Sequence, residues 1–181
     1  MLHLKNITAG NPKTAEQYQM TKQHGITWLF SEDDKNWYEE QKNFASDTIK
    51  MVYTGDGRVV WVGKDVTGIE PRNASVIEVP DITANRRITV PGYWFYRDDK
   101  FVFDYKLKAE DERDALLKQA SIMTSEWEKD LLLGLISDED RERLKAYRIY
   151  AKSLQTMDFS PITDKASYNA IEWPVSPEAS S

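Results

Sequence analysis

The 181-residue sequence has no cysteine. A disulfide scaffold, a thiolate metal site and a cysteine nucleophile are therefore excluded. Its two histidines, His3 and His24, stand alone, and neither has the neighbours of an HExxH-like metal site. The eight glycines never form a dinucleotide-binding or phosphate-loop pattern. No serine has a nucleophile-elbow context. Purely apolar runs end after a few residues, as in Leu131-Leu132-Leu133, far short of the ~20 that span a bilayer. Basic residues are outnumbered, 24 Lys and Arg against 30 Asp and Glu, giving a net charge of −6. That balance argues against nucleic acid or an anionic membrane as partner. Met1–Lys5 lacks the pattern of a secretion signal. The expectation is a soluble, non-enzymatic chain of the cytoplasm in which it is made, with no catalytic residues, metal or cofactor.

What is present divides the chain in two. Residues 1–108 hold 15 basic and 15 acidic side chains, whereas residues 109–181 hold 9 and 15. The whole negative charge therefore lies in the second part. Most of the six tryptophans and nine tyrosines lie in the first.

The first part reads as short strands. Thr14-Ala15-Glu16-Gln17 has the form of a capping box, and Gly25 is placed to end a short helix. Ile26–Phe30 reads as a strand, Ser31–Asn36 as a turn, and Asn36–Glu39 as the returning strand. Thr48–Tyr53 and Arg58–Val62 are rich in β-branched and aromatic residues. Thr54-Gly55-Asp56-Gly57 joins them as a hairpin turn. Ser75–Val79 is a further strand stopped by Pro80, and Asp81–Gly92 has no clear period. Tyr93–Tyr96 and Phe101–Tyr105 form a last hairpin. Aromatic residues on both faces imply that one face is not simply solvated.

Past Leu107 the period changes from two to 3.6. Leu116, Ala120, Met123, Trp127 and Leu131 form one stripe, and Leu144, Tyr147, Ala151 and Leu154 another. Gly134 ends the first helix. Ser137 caps the second, with Asp138, Glu139 and Asp140 in its favourable first turn. The short link makes the helices antiparallel. From Gln155 periodicity is lost, and Pro161, Pro174 and Pro177 indicate an extended tail, with Trp173 needing a docking place. The fold class is thus α+β: a β-rich domain with a short helix (1–108), an antiparallel helical hairpin (109–156) and an extended tail (157–181).

Chemistry is scarce. Glu32-Asp33-Asp34 and Asp98-Asp99 are dense in carboxylates, and paired acids can hydrolyse glycosides. Both lie in predicted turns, however, where acids accept backbone hydrogen bonds. Arg86-Arg87 reads as a solvated loop pair. The aromatic residues are the unusual resource: Trp28, Trp37, Trp61 and Trp94 could fill a core, grip a protein or stack on sugars.

Several ordered segments carry a family resemblance. Met1–Ile7, Asn11–Thr14, Glu16–Gln19, Lys35–Glu40, Asp47–Lys50 and Val79–Thr83 with Asn85–Arg87 resemble the Mu-like branch of the tail fibre assembly proteins of tailed bacteriophages. Ser137–Asp140, Leu144–Tyr147, Tyr150, Leu154 and Glu172–Pro174 are similar to the wider family, including its lambda-like members. Tyr147 stands where relatives commonly carry Trp, and the stretch from Phe159 to Ala170 is longer than in Mu-like relatives. The resemblance implies a chaperone that helps a trimeric tail fibre fold and assemble by binding its C-terminal, receptor-binding end. It would act in the host cytoplasm, with retention on the fibre tip as a variant. No cofactor is implied.

Under that reading Trp28, Trp37, Tyr38, Tyr93 and Trp94 are the expected gripping residues. Leu116, Met123, Trp127, Leu144, Tyr147 and Leu154 are the expected self-association seam of a homodimer. The competing readings are a carbohydrate-binding module, a glycan hydrolase and a passive structural subunit of the fibre tip.

Overall fold

The computed structural model describes residues 1–180, with the side chains of 1–178 placed. It forms two compact units, Met1–Phe103 and Asp104–Ser181. The division falls a few residues before the expected boundary at 108, and the tail shares a unit with the helical hairpin.

The first unit is built on a five-stranded antiparallel sheet. Its strands are β1 (His3–Gly10), β2 (Trp28–Phe30), β3 (Ile49–Thr54), β4 (Val59–Gly63) and β5 (Ala74–Val79), in the order β2-β1-β5-β3-β4. Helix α1 (Ala15–His24) joins β1 to β2. It starts at Thr14, whose side chain accepts from the Gln17 N–H, and stops at Gly25 in the left-handed conformation (φ 66°). The hairpin β6 (Trp94–Arg97) and β7 (Lys100–Phe103) turns through Asp98 and Asp99, both at positive φ (49° and 58°). Acids occupy those positions because their short polar side chains tolerate left-handed backbone.

Alternation along the strands sends side chains to two cores. Val52 and Val76 join Leu4, Ile7, Leu29 and Trp37 on one face. Their neighbours Met51 and Ile77 join Ile49, Val79 and Trp94 on the other, where Phe101 and Phe103 also pack. Both faces are therefore covered, one more than the aromatic content implied.

One segment differs from expectation. Residues 37–40 are not a returning strand but a single helical turn, α2 (Trp37–Glu40), and only Asn36 makes a bridge to Phe30. The Asn36 side chain accepts from the Tyr38 N–H and starts the turn, which rotates Trp37 into the core. Another short turn, α3 (Thr83–Arg86), lies in the stretch without period.

A buried polar group ties the first unit together. Lys50 and Glu78 face each other across β3 and β5 and are almost wholly buried. The Glu78 carboxylate accepts from the Leu2 N–H (2.9 Å), the Ala45 N–H (2.6 Å) and the Thr48 hydroxyl (2.7 Å). The Lys50 ammonium donates to the carbonyls of Ala45 and Thr48. The start of the chain and the 45–48 loop are thereby pinned to the sheet.

The second unit is led by one long helix, α4 (Tyr105–Leu133), followed by α5 (Asp138–Gln155). Asp104 accepts from the Leu107 N–H and starts α4 earlier than the apolar stripe alone indicates. At its other end Gly134 (φ 71°) donates to Leu131 O and Leu135 donates to Asp130 O. That paired closure is a Schellman motif. Ser137 caps α5 by accepting from the Asp140 N–H.

The apolar stripes meet within the chain. Ala120 on α4 packs with Tyr147, Tyr150 and Leu154 on α5, joined by Leu116 and Trp127. The tail is not extended: it folds onto the hairpin through α6 (Lys165–Asn169), capped by Asp164. The Tyr168 hydroxyl donates to the Glu112 carboxylate (2.6 Å), and Lys108 lies over the Tyr168 ring (4.2 Å). Trp173 packs on the hairpin core and against Phe159 (5.7 Å between ring centres). Trp173→Ala is expected to lower the stability of this unit by about 1–2 kcal/mol, since the ring is half-buried. Urea unfolding followed by helical circular dichroism measures it, and an unchanged midpoint would mean that the tail contributes nothing.

Candidate fibre-binding surface

The five expected gripping residues do not form one surface. Trp37 is 0% exposed, so it is a core residue rather than an anchor. Its ring meets Phe44 edge-on at 6.0 Å. Trp94 is buried in the second core under Phe103, with the Arg87 guanidinium over its ring at 5.3 Å. Tyr93 is half-buried beside Phe103, at 6.0 Å.

Trp28 and Tyr38 do come together. Their rings meet edge-to-face at 5.8 Å. Trp28 is itself mostly buried and is positioned by α1: its indole N–H donates to Gln17 O (3.2 Å) and the Thr21 hydroxyl (2.8 Å). Tyr38, on the turn that buries Trp37, is 39% exposed and donates its hydroxyl to Thr27 O (3.1 Å). Burial, followed by the nearby Glu70 charge, pushes the Tyr38 phenol up against the opposing effect of Arg72. It therefore stays a neutral donor at physiological pH.

These two rings form part of an open groove of about 540 Å³, completed by Met20, Ile26 and the ion pair of Glu70 with Arg72 (2.6 Å). The groove offers apolar area, an aromatic edge and a charged rim, which suits a protein segment carrying apolar side chains. Met20, Glu70 and Arg72 were not among the expected residues. Met20 reads as one more side chain of a short helix, and Glu70 and Arg72 arrive from a distant loop without a local pattern.

The carboxylate clusters have structural roles. Asp33 pairs with Lys35 (2.7 Å), Asp34 with Lys13 (2.6 Å), and Glu32 accepts from Asn6 (2.5 Å). Arg86 is held by Asp81 (2.6 Å), and its hydrogen bond, with one from Lys64, lowers the Asp81 carboxyl to about 2. Among the described residues no three His, Asp or Glu side chains are grouped to hold a metal. No described helix is long and apolar enough to cross a membrane.

The expected self-association seam is used inside the chain. Leu144, Tyr147 and Leu154 are buried by the hairpin itself, and Leu116 and Trp127 are half-buried there. Met123 alone of the six is substantially exposed.

Residues 39–178 match the family model described as Caudovirales tail fibre assembly protein, lambda gpK. The chain belongs to the tail fibre assembly protein family of tailed phages. Within the family it is 48% identical over 171 residues to tail fibre assembly protein U′ of Escherichia phage Mu, covering 90% of this chain and 97% of that protein. It is 47% identical, with the same coverage, to the U′ protein of Escherichia phage P1. A probable tail fibre assembly protein of Escherichia phage P2 is 43% identical over 87% of this chain and 94% of its own length. The family match begins at Glu39, just after Tyr38, and spans β3 to β7 and the helical hairpin.

Proposed function

We propose that this chain is a chaperone that binds the C-terminal, receptor-binding end of a phage tail fibre and promotes its trimerisation in the host cytoplasm. Family membership carries this reading. The Trp28–Tyr38 groove gives it a surface, because aromatic side chains in an open apolar groove anchor protein segments at low entropic cost. Binding drives the effect. A protein that holds an assembly-competent fibre end shifts folding by mass action and shields apolar surface until three chains are in register. No covalent step is involved. The groove residues Glu70 and Arg72 neutralise each other rather than supplying the two separated acids of glycan hydrolysis.

Co-expression with the fibre gene tests the reading: the fibre is expected to be soluble and trimeric only when this chain is present. A fibre equally soluble and trimeric alone would sink it. Presence of the chain in purified particles without any effect on fibre solubility would instead assign it to the fibre tip as a passive subunit. For the surface, Tyr38→Ala is expected to weaken fibre capture about 10- to 100-fold, with little change in folding. Undiminished capture would move the contact away from this groove.

A further inference from the structure

A sheet can take on another strand at its edges, where the outer row of N–H and C=O groups has no partner in the sheet. The edges of the five-stranded sheet are β2 and β4. The chain closes the first itself. Asn36 bridges Phe30, the Ser31 N–H donates to Lys35 O (2.9 Å), and the Tyr38 hydroxyl donates to Thr27 O. The second is closed only at its start, where the Tyr96 N–H donates to Gly57 O (2.7 Å) and Phe95 bridges Arg58. β6 begins at Trp94. Before it stand Gly92 and Pro91, and a proline has no N–H to carry the pairing on. Among the described residues, β3 is the only strand that pairs with Val59–Gly63.

Open edges are normally guarded by lysine, proline or an inward charge. The β4 sequence, Val59-Val60-Trp61-Val62-Gly63, has none of these. Val60 is the extra residue of a bulge, since Val59 opposes Tyr53 while Trp61 opposes Val52, and it is 46% exposed. Past the bulge, regular register resumes through Trp61, Val62 and Gly63, opposite Val52, Met51 and Lys50. The Trp61 ring lies over Gly63 so closely that a Cβ there would come within 2.5 Å of it. An aromatic ring laid across an edge glycine pins the strand. The edge is thus preorganised before any partner arrives.

We propose that β4 takes up an extended segment of an unassembled fibre chain as a sixth, antiparallel strand, in line with β6. The proposal rests on the reading that this chain binds the fibre, and it adds a mode of binding at the edge opposite the Trp28–Tyr38 groove. Strand addition draws its affinity from backbone hydrogen bonds, which any residue but proline can make. It therefore selects a segment that is extended and unpaired, the state of a fibre strand before three chains are in register. Charge adds one side-chain requirement. The Arg58 guanidinium lies over Phe95 (6.0 Å) and reaches Gly92 O (3.5 Å), at the inner end of the open edge. Among the described residues it has no carboxylate partner. A segment with an acidic residue at that end would supply one, through a charge-assisted hydrogen bond. Backbone pairing at β4 makes the hold general, and the groove makes it specific.

Amide hydrogen exchange of the full chain, alone and in complex with the co-expressed fibre, tests the proposal. Outward-facing amides within residues 59–63 are expected to exchange at least about tenfold more slowly in the complex, because they gain backbone partners. Val60→Lys places a guard on the edge at an exposed position and should weaken fibre capture about tenfold with unchanged circular dichroism. Val60→Thr, which keeps the strand preference without the charge, should capture the fibre as the wild type does. Unchanged exchange at 59–63 in a formed complex overturns the proposal and leaves the chaperone reading standing. Undiminished capture by Val60→Lys does the same. A wild type that captures no fibre overturns both. Slower exchange at 59–63 in the free chain as its concentration rises would give the edge to a second copy and also overturns the proposal.

Discussion

Trp37→Ala is expected to destabilise the first unit by about 3–5 kcal/mol, the range for removing a fully buried aromatic side chain. The ring has no exposed surface and closes the core that contains Leu4, Ile7, Leu29, Val52 and Val76. It also sits on a one-turn helix, so the loss is felt by Tyr38 next to it. The variant should unfold at much lower denaturant and lose fibre capture as a consequence of unfolding. Trp37→Phe should cost distinctly less. The indole N–H has no hydrogen-bond partner, so removing it relieves an unsatisfied buried donor while most of the apolar volume is kept. Denaturant unfolding of both variants, beside the surface change Tyr38→Ala, separates packing from binding. A Trp37→Ala protein with wild-type stability and weak fibre capture would restore Trp37 as a contact residue.

Glu78→Ala should cost about 3 kcal/mol, because it strands three donors and leaves the Lys50 ammonium buried without its facing charge. The same carboxylate sets a pH dependence. Burial alone would raise its pKa. The hydrogen bonds from Thr48, Leu2 and Ala45, with the Lys50 charge, outweigh burial and hold it below its ordinary 4.5. Its contribution is therefore complete above about pH 4.5 and is lost as pH falls through the depressed folded value. Stability measured against pH should show an acid-side decline that is shallower in Glu78→Gln. An identical decline in both proteins would mean that other carboxylates govern acid unfolding.

Local chemistry made much of the fold legible. Gly25 and Gly134 ended helices where only left-handed backbone fits, Ser137 capped α5, and the Thr54–Gly57 turn set β3 against β4. Errors arose where tertiary packing decided. Trp37 and Tyr38 favour strands by propensity, yet the Asn36 cap and the open core drew them into a turn of helix. Tyr105 looked like the end of an aromatic strand, but the Asp104 cap made it the start of α4. The tail looked loose because Tyr168 and Trp173 find their partners, Glu112 and Phe159, outside their own local period.

The candidate site was legible only in part. Trp28 (7% exposed) is as buried as Trp94 (8%), so the tryptophans alone did not reveal the groove, whose exposed ring is Tyr38. The helical stripes gave the correct contacts but not whether the partner was the other helix or another molecule. The exposed leucines at the loop were visible in the sequence only as a short apolar run. Leu135 is exposed because Asp130 occupies the place where the cap normally finds an apolar neighbour.

The position of β1 bears on how the chain is made. It precedes the other strands of the sheet along the chain, yet in the sheet it lies between β2 and β5. Half of its backbone pairing must wait for a strand synthesised far later, after α1, α2, β3 and β4. Closing so long a loop is slow. Until then Leu4 and Ile7 have no core to enter. A protein proposed to protect unfinished fibres thus passes through its own unprotected interval during synthesis, and slowing translation within residues 49–79 should lengthen it.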